Sequence, residues 1–263
     1  MSRLLLTLGL LFLYIPMAVV VVFSFNDSKL VSVWGGFSTR WYGALWQDTA
    51  LLQSALNSLK VGAGAATVAV ILGTLAALAL NRMKRFPGRS FFMALSATPL
   101  VLPEVILGFS LLLLYVLLEQ LTGWPQGRGL GTVIAAHATL GMAYVTVLVQ
   151  SRLMGLDPGL EEAAADLGAT PLAVIRRIIL PLIAPALIAG WLLAFTLSLD
   201  DLVIASFTNG PGASTLPMQV YSRVRLGISP QINALATLML GLAFVVVAAV
   251  LKLALPHMKK KTT

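Results

Sequence analysis

The chain has 263 residues, of which 58% are hydrophobic and only 11% are charged, and its mean hydropathy is +0.91. A soluble protein carries about twice that share of charged residues, so the composition excludes a soluble enzyme or binding domain and indicates an integral membrane protein. The formal net charge of +8 is explained by loops beside a membrane rather than by binding to nucleic acid. The chain has no cysteine, which excludes disulfides, cysteine-ligated metals and thiol nucleophiles.

Six apolar runs of roughly 20 residues each are long enough to cross a bilayer. The runs are continuous and do not alternate, so they predict an all-α membrane protein with six transmembrane helices rather than a β-barrel. The first run extends to Phe25 and is longer than the apolar core of a signal peptide, about 7–15 residues, so we expect an uncleaved anchor. The runs begin near Leu4, Leu59, Phe91, Leu130, Leu182 and Asn233.

The basic residues indicate how the spans are oriented. Twelve of the 18 Lys and Arg residues fall on one side of the predicted membrane and six on the other. Positively charged loops stay in the cytoplasm, so both termini and the segment 157–181 are predicted to be cytoplasmic. We divide the chain into a first anchor with its outward loop (residues 1–57), a transmembrane core (58–255) and a basic cytoplasmic tail (256–263).

The segment 157–181 is the one long polar stretch that carries charges of both signs. Asp157 with Pro158 predicts a helix start, because an Asp oxygen accepts a free N–H and proline fits the first helical position. Gly168 predicts a left-handed stop, and Thr170 with Pro171 predicts a second start. The short helix has one apolar stripe suited to docking in a groove, formed by Leu160, Ala163, Ala164 and Leu167.

The second and third spans contain residues that shape helices. The second is rich in glycine and alanine, which predicts close helix packing. Pro99 and Pro103 predict a bend or break in the third span. Glu104 follows about fourteen residues into that run, near mid-depth if the helix is continuous. Its carboxylate either faces a water-filled path or is protonated and hydrogen-bonded inside the protein, and the sequence leaves both open.

The fourth and fifth spans contain the other polar candidates. We interpret His137 as a hydrogen-bonded packing residue, since a metal site normally needs several ligands. Asp200 and Asp201, in the outer half of the fifth span, point about 100° apart on a helix and therefore do not serve one site in the same way. One of the two faces a pathway in this interpretation, while the other caps, pairs or faces a neighbour.

The segment 157–181 also contains an ungapped pattern of fixed spacing. Glu162-Ala163-Ala164 is followed after three residues by Gly168, after nine more by Ile178, and after one more by Leu180-Pro181. This pattern resembles the EAA signature of ATP-binding-cassette (ABC) importer permeases. The resemblance implies that these seven residues couple the chain to an ATPase.

Shorter pieces extend the resemblance over nearly the whole chain. They are similar to the spermidine/putrescine branch of these importers, in particular to the second of its two permease subunits. The pieces are Tyr14-Ile15-Pro16, Ser24-Phe25-Asn26, Arg40-Trp41-Tyr42, the run from Pro99 to Glu104 and the run from Phe195 to Asp201.

The resemblance implies a type I importer permease fold in a bacterial inner membrane. It also implies a heterodimer with a sister permease, two cytoplasmic ATPase subunits and a periplasmic polyamine-binding protein. The sequence contains no Gly-Lys dipeptide and therefore no phosphate-binding loop of the G-x-x-x-x-G-K-[ST] kind. We expect ATP and magnesium on the partner ATPase, and no cofactor, metal or catalytic residue on this chain.

Glu104, Asp200 and Asp201 are the only acids well inside the predicted spans, so they are the candidates for a cation path. Three other functions remain open on the sequence: import of another small solute, cation-coupled secondary transport, and a membrane scaffold that transports nothing. The last two would not need the EAA pattern. The sequence does not distinguish putrescine from spermidine.

Overall fold

The structure, a computed structural model, describes residues 2–30, 33–83, 86–157, 159–227, 230–241 and 244. The named elements in those ranges are helical. They are α1 (Ser2–Phe23), α2 (Arg40–Gln47), α3 (Thr49–Arg82), α4 (Arg89–Val101), α5 (Glu104–Thr122), α6 (Leu130–Met154), α7 (Gly159–Asp166), α8 (Pro171–Val174), a π-helical turn (Ile175–Ile179), α9 (Leu180–Asp200), α10 (Val203–Thr208) and α11 (Leu216–Leu226).

Five stretches of the described residues are long and apolar enough to cross a membrane. They lie in α1, α3, α5 and α6, and in the continuous run from α8 to α9. Residues 230–241 and 244 are helical where the sixth span is predicted, and the rest of that span and the tail 256–263 lie outside the described residues. The first, second, fourth and fifth predicted spans are thus confirmed, the third has a different form, and the sixth stays a prediction.

The third predicted span is two helices, α4 and α5. Leu102 has an extended backbone, with φ of −72° and ψ of 137°, and Pro103 has no N–H to continue the helix. The carbonyl of Pro103 then accepts a hydrogen bond from the N–H of Ile106 at 2.9 Å, which opens α5. The predicted break is confirmed, and it leaves Glu104 at the start of a helix.

Helix α3 begins at Thr49, ten residues before the predicted start at Leu59. The extra turns contain buried polar residues, which lower the hydropathy of this stretch. Nδ2 of Asn57 donates to the carbonyls of Gly212 and Ser214 at 3.0 and 3.1 Å. Tertiary hydrogen bonds of this kind satisfy polar groups that would otherwise be costly to bury.

Residues 54–219 form one compact unit, in which α3, α6 and α9 share an apolar core. A Cβ at Gly73 of α3 would lie 2.8 Å from Cβ of Val145 in α6 and 2.9 Å from the carbonyl oxygen of Met142. Only glycine allows this approach, so the predicted close packing of the second span is confirmed. The buried core residues include Ala66, Ala69, Ala77, Val149, Leu153, Val174, Ile179, Ile183 and Ala194.

The described residues within 1–53 and 220–263 form the other unit, in which Asp48 contacts α11. Its two carboxylate oxygens accept hydrogen bonds from Arg223 of α11 at 2.6 and 2.9 Å, and Oδ2 also accepts one from Gln231 at 3.0 Å. The Arg223 guanidinium is the main cause of a low pKa for Asp48, about 2, so this carboxylate stays ionised at physiological pH. The boundaries of the two units, at residues 53/54 and 219/220, differ from the predicted domain boundaries. The predicted domain division stays a prediction.

Candidate coupling segment and substrate path

The first helix of the segment 157–181 is α7, and both of its ends are formed by local residues. Oδ1 of Asp157 accepts a hydrogen bond from the N–H of Gly159 at 2.9 Å. Gly168 has a φ of +79°, and the N–H of Ala169 beyond it donates to the carbonyl of Ala164 at 3.0 Å. A left-handed residue followed by such a bond satisfies the last carbonyls of a helix. The predicted start at Asp157 and stop at Gly168 are confirmed, and Pro158 lies outside the described residues.

The apolar stripe of α7 is divided between the surface and the chain's own core. Leu160 and Leu167 have exposed fractions of 45% and 90%, and Ala163 is also exposed. Ala164 is only 8% exposed and packs in the core cluster with Leu153. This corrects the expectation that all four residues of the stripe face a partner's groove. Ala164 lies about 40° round the helix from Leu160, at the edge of the stripe where α7 meets the rest of the unit.

The second half of the segment returns the chain to the fifth span. Oγ1 of Thr170 accepts a hydrogen bond from the N–H of Ala173 at 3.3 Å, so the predicted second start is confirmed. The N–H of Leu180 donates to the carbonyl of Ile175, five residues back, and closes the π-helical turn. This wider turn lies directly before Pro181, whose ring would crowd the preceding turn of a regular α-helix.

The predicted coupling residues therefore lie in two environments. Glu162, Ala163 and Pro181 are exposed, whereas Ile178 and Leu180 are half-buried against the apolar core. The exposed residues are free to contact another protein, and the half-buried ones connect the segment to the spans. Contact of any of them with an ATPase stays a prediction.

Glu104 lies in the first turn of α5 and is exposed. Because the third run is broken before it, its depth cannot be counted along one continuous helix, and the sequence-based estimate of mid-depth does not apply. Within the described part of the chain its carboxylate makes no hydrogen bond, so the structure gives no support to a protonated, internally bonded Glu104.

Asp201 is buried and holds the junction between α9 and α10. Its Oδ1 accepts a hydrogen bond from the N–H of Ala205 at 2.9 Å, which caps α10. The same oxygen lies 3.3 Å from Nε2 of His137 in α6, within ion-pair distance but without the alignment of a hydrogen bond. Nδ1 of His137 lies 2.6 Å from Oγ of Ser198. His137 is thus a hydrogen-bonded packing residue, as predicted.

Asp200 differs from its neighbour because it is exposed at the end of α9. The expected divergence of the two adjacent carboxylates is confirmed. Asp201 caps α10 and pairs with His137, whereas the side chain of Asp200 is exposed. The sequence indicated no role for Ser198, which lies three residues before Asp201 and hydrogen-bonds to the other nitrogen of His137.

A cavity of about 10 Å³ adjoins the His137, Ser198 and Asp201 side chains. Such a volume holds at most a single water, which is far too little for an organic solute. Among the described residues, no three metal-ligating side chains come together. Asp200 and Glu104 are therefore the better placed of the three acids to meet a solute.

Solved structures similar to this chain are membrane transporters. A bacterial ABC transporter involved in the import of the acidic polysaccharide alginate matches with a TM-score of 0.73 and 18% identity, over 95% of this chain and 94% of that one. An amino acid ABC transporter solved with histidines matches with a TM-score of 0.55 and 22% identity, over 80% of this chain and 96% of that one. These likenesses confirm the predicted all-α, type I importer permease fold.

Relatives by sequence are much closer. The putrescine transport system permease protein PotI of Escherichia coli K12 is 59% identical over 236 residues, which cover 90% of this chain and 84% of that protein. The spermidine/putrescine transport system permease protein PotC of the same strain is 43% identical, over 90% of this chain and 88% of that protein. A family model described as "binding-protein-dependent transport system inner membrane component" matches residues 69–263. The chain therefore belongs to this family and is a multi-pass permease subunit of an ABC importer.

Proposed function

We propose that this chain is the permease subunit of an ATP-driven importer for the polyamines putrescine and spermidine. The observation that carries the proposal is the 59% identity, over 90% of the chain, to a permease of a putrescine transport system. The complete importer would contain a sister permease, two cytoplasmic ATPase subunits and a periplasmic polyamine-binding protein. ATP and magnesium would be bound by the ATPase subunits, because this chain has no phosphate-binding loop.

The coupling step would use the exposed face of α7. Leu160, Ala163 and Leu167 would lie in a groove of one ATPase subunit. When the ATPase pair closes around ATP, α7 would therefore move with that subunit. Ala164 packs in the chain's own core, so the motion of α7 would be passed to the spans. The spans would then change from inward-open to outward-open, and hydrolysis would return them.

The solute path would run between this chain and the sister permease. A polyamine has two or more positive charges, and a path through the membrane must replace part of its water with negative groups and oriented carbonyls. We assign Asp200 and Glu104 to that path because both are exposed acids. Asp201 would act beside the path by holding the α9–α10 junction in place.

The proposal is tested by reconstituting the intact complex in proteoliposomes with the binding protein. We expect putrescine or spermidine, delivered by the binding protein, to stimulate ATP hydrolysis and to accumulate inside, whereas a neutral sugar should do neither. Normal insertion of the complex with no response to either polyamine would contradict the polyamine assignment. Uptake driven by a proton gradient without the ATPase would favour the secondary transporter instead.

The orientation gives a separate prediction. A reporter fused after Thr263 or inserted near Gly88 should lie in the cytoplasm, and one inserted near Gly127 or Gly212 should lie on the outer side. The physical reason is the excess of Lys and Arg on the first of these sides. Accessibility of each reporter in intact cells is the measurement. Any one of the four on the opposite side would contradict the six-span topology and the cytoplasmic position of α7.

A further inference from the structure

An ion pair joins α7 to the end of α3. Nη2 of Arg82, the last residue of α3, contacts Oε1 of Glu161 in the first turn of α7. The two side chains are largely enclosed, with exposed fractions of 31% and 26%. The pair therefore lies between a long spanning helix and the short helix proposed to meet the ATPase.

The Arg82 guanidinium depends on this contact. Its Nε and Nη2 atoms are enclosed and have no well-aligned hydrogen-bond acceptor in the described part of the chain. Glu161 is the only carboxylate within ion-pair distance of it there. An enclosed cation whose single counter-charge is removed is costly, so the two residues hold each other in place.

Neighbouring contacts fix the α3 side of the pair. Nη2 of Arg89, at the start of α4, donates to the carbonyl of Leu80 at 3.0 Å and so satisfies one of the last carbonyls of α3. Earlier in α3, Gly73 allows the helix to pack closely against Val145 of α6. A force on Arg82 therefore acts on a helix that is packed into the core.

The α7 side is less firmly packed. A cavity of about 270 Å³ lies beside α7, and Arg82, Glu161, Ala165, Ala169 and Val174 are among the residues that line it. Protein interiors are normally close-packed, so a cavity of this size beside α7 leaves the helix room to tilt about Ala164, its one buried residue. A second point of attachment is needed to fix the tilt, and the Arg82–Glu161 pair supplies it.

The two adjacent glutamates of α7 have different environments. Glu162 begins the EAA pattern and is exposed, whereas Glu161 points about 100° away, toward Arg82. The EAA pattern thus includes Glu162, the glutamate that is accessible to a partner protein. The residue just before it, which the pattern does not include, contacts the chain's own spans.

We infer that Arg82 and Glu161 are positioning residues that make α7 move together with α3 when the ATPase subunits close. The inference rests on the coupling role proposed for α7. Without the pair, α7 would still dock but would tilt into the cavity, and part of the ATPase motion would be lost before it reached the spans.

The test is a double-mutant cycle in the intact, reconstituted complex. Arg82→Gln and Glu161→Gln remove one charge each and keep side-chain length. Each should lower the number of solute molecules taken up per ATP hydrolysed by about threefold to tenfold, the range in which residues along a coupling network act. The double variant should lose no more than the worse single variant, because both changes break the same contact. Arg82→Lys, which keeps the charge, should retain most of the coupling.

Arg152→Gln is the matched control, since Arg152 is an exposed arginine in the last turn of α6. It should leave uptake per ATP unchanged. The inference is overturned if the single variants keep wild-type uptake per ATP, even at lower abundance, or if their losses multiply in the double variant. A wild-type complex that shows no ATPase stimulation by the loaded binding protein would instead contradict the proposed function.

Discussion

Gly168→Val is expected to lower uptake by the intact complex about tenfold or more while the permease still inserts in the membrane. Gly168 has a φ of +79°, a conformation that costs an ordinary L-residue about 1–2 kcal/mol and a β-branched residue more. No atom lies within 4 Å of the position that a Cβ would take, so the effect would come from backbone strain and not from a clash. About 1.4 kcal/mol corresponds to a tenfold change in an equilibrium.

The strain would be relieved by unwinding the end of α7, which would displace the exposed Leu167 from its docking position. Uptake and binding-protein-stimulated ATP hydrolysis, both normalised to inserted permease, measure the effect. Gly168→Asn is the control at the same position, because asparagine tolerates the left-handed region. Gly155→Ala is the control at a nearby glycine with a φ of −88°. Wild-type uptake by Gly168→Val would contradict the coupling role of this helix.

Local chemistry made the segment 157–181 predictable. A cap such as Asp157 or Thr170, a left-handed glycine and a proline each act within about four residues, so their effects follow from the sequence alone. The break at Pro103 was predictable for the same reason, since a proline removes a hydrogen bond wherever the chain goes afterwards.

Long-range contacts limited the rest of the prediction. The early start of α3 depends on Asn57 reaching the carbonyls of Gly212 and Ser214, which lie more than 150 residues away. A hydropathy window averages neighbours in sequence and therefore placed the polar turns of α3 in a loop. The burial of Ala164 likewise depends on which edge of α7 meets the core, and its stripe alone does not determine that.

Long-range contacts also limited what could be predicted for the two adjacent aspartates of the candidate site. The sequence predicted that Asp200 and Asp201 would have different environments, because neighbours on a helix point apart. It did not assign the environments, since the contact of Asp201 with His137 joins two helices far apart in sequence. The structure shows that Asp201 is buried and Asp200 is exposed, so substitutions of the two residues are expected to have different effects.

Asp200→Asn and Glu104→Gln are each expected to lower polyamine uptake per inserted permease about fivefold, with normal abundance. Each change removes attraction for a polycation that has lost part of its water and keeps the size of the side chain. At an effective dielectric constant near 20, one charge pair at 4 Å is worth about 4 kcal/mol before desolvation. A quarter of that, about 1 kcal/mol, corresponds to a change of about fivefold.

Asp201→Asn is expected to behave differently because Asp201 is buried and paired. Asparagine can still cap α10 at Ala205 through Oδ1, but it weakens the contact with Nε2 of His137 and places an amide NH2 where the second carboxylate oxygen lay. An enclosed donor that finds no acceptor costs about 1–3 kcal/mol. The melting temperature of the purified complex should therefore fall together with uptake.

Uptake normalised to inserted permease, measured beside the melting temperature, separates these two kinds of effect. Glu119→Gln serves as the control for net charge, since Glu119 accepts a hydrogen bond from the N–H of Gly127 near the C-terminal end of α5 and belongs to neither group. It should leave both quantities close to those of the wild type. If Asp200→Asn and Glu104→Gln both transport normally per molecule, the cation path consists of carbonyls and aromatic rings or lies on the sister subunit. If Asp201→Asn lowers uptake at an unchanged melting temperature, Asp201 itself contacts the solute, and the His137 contact positions it for that role.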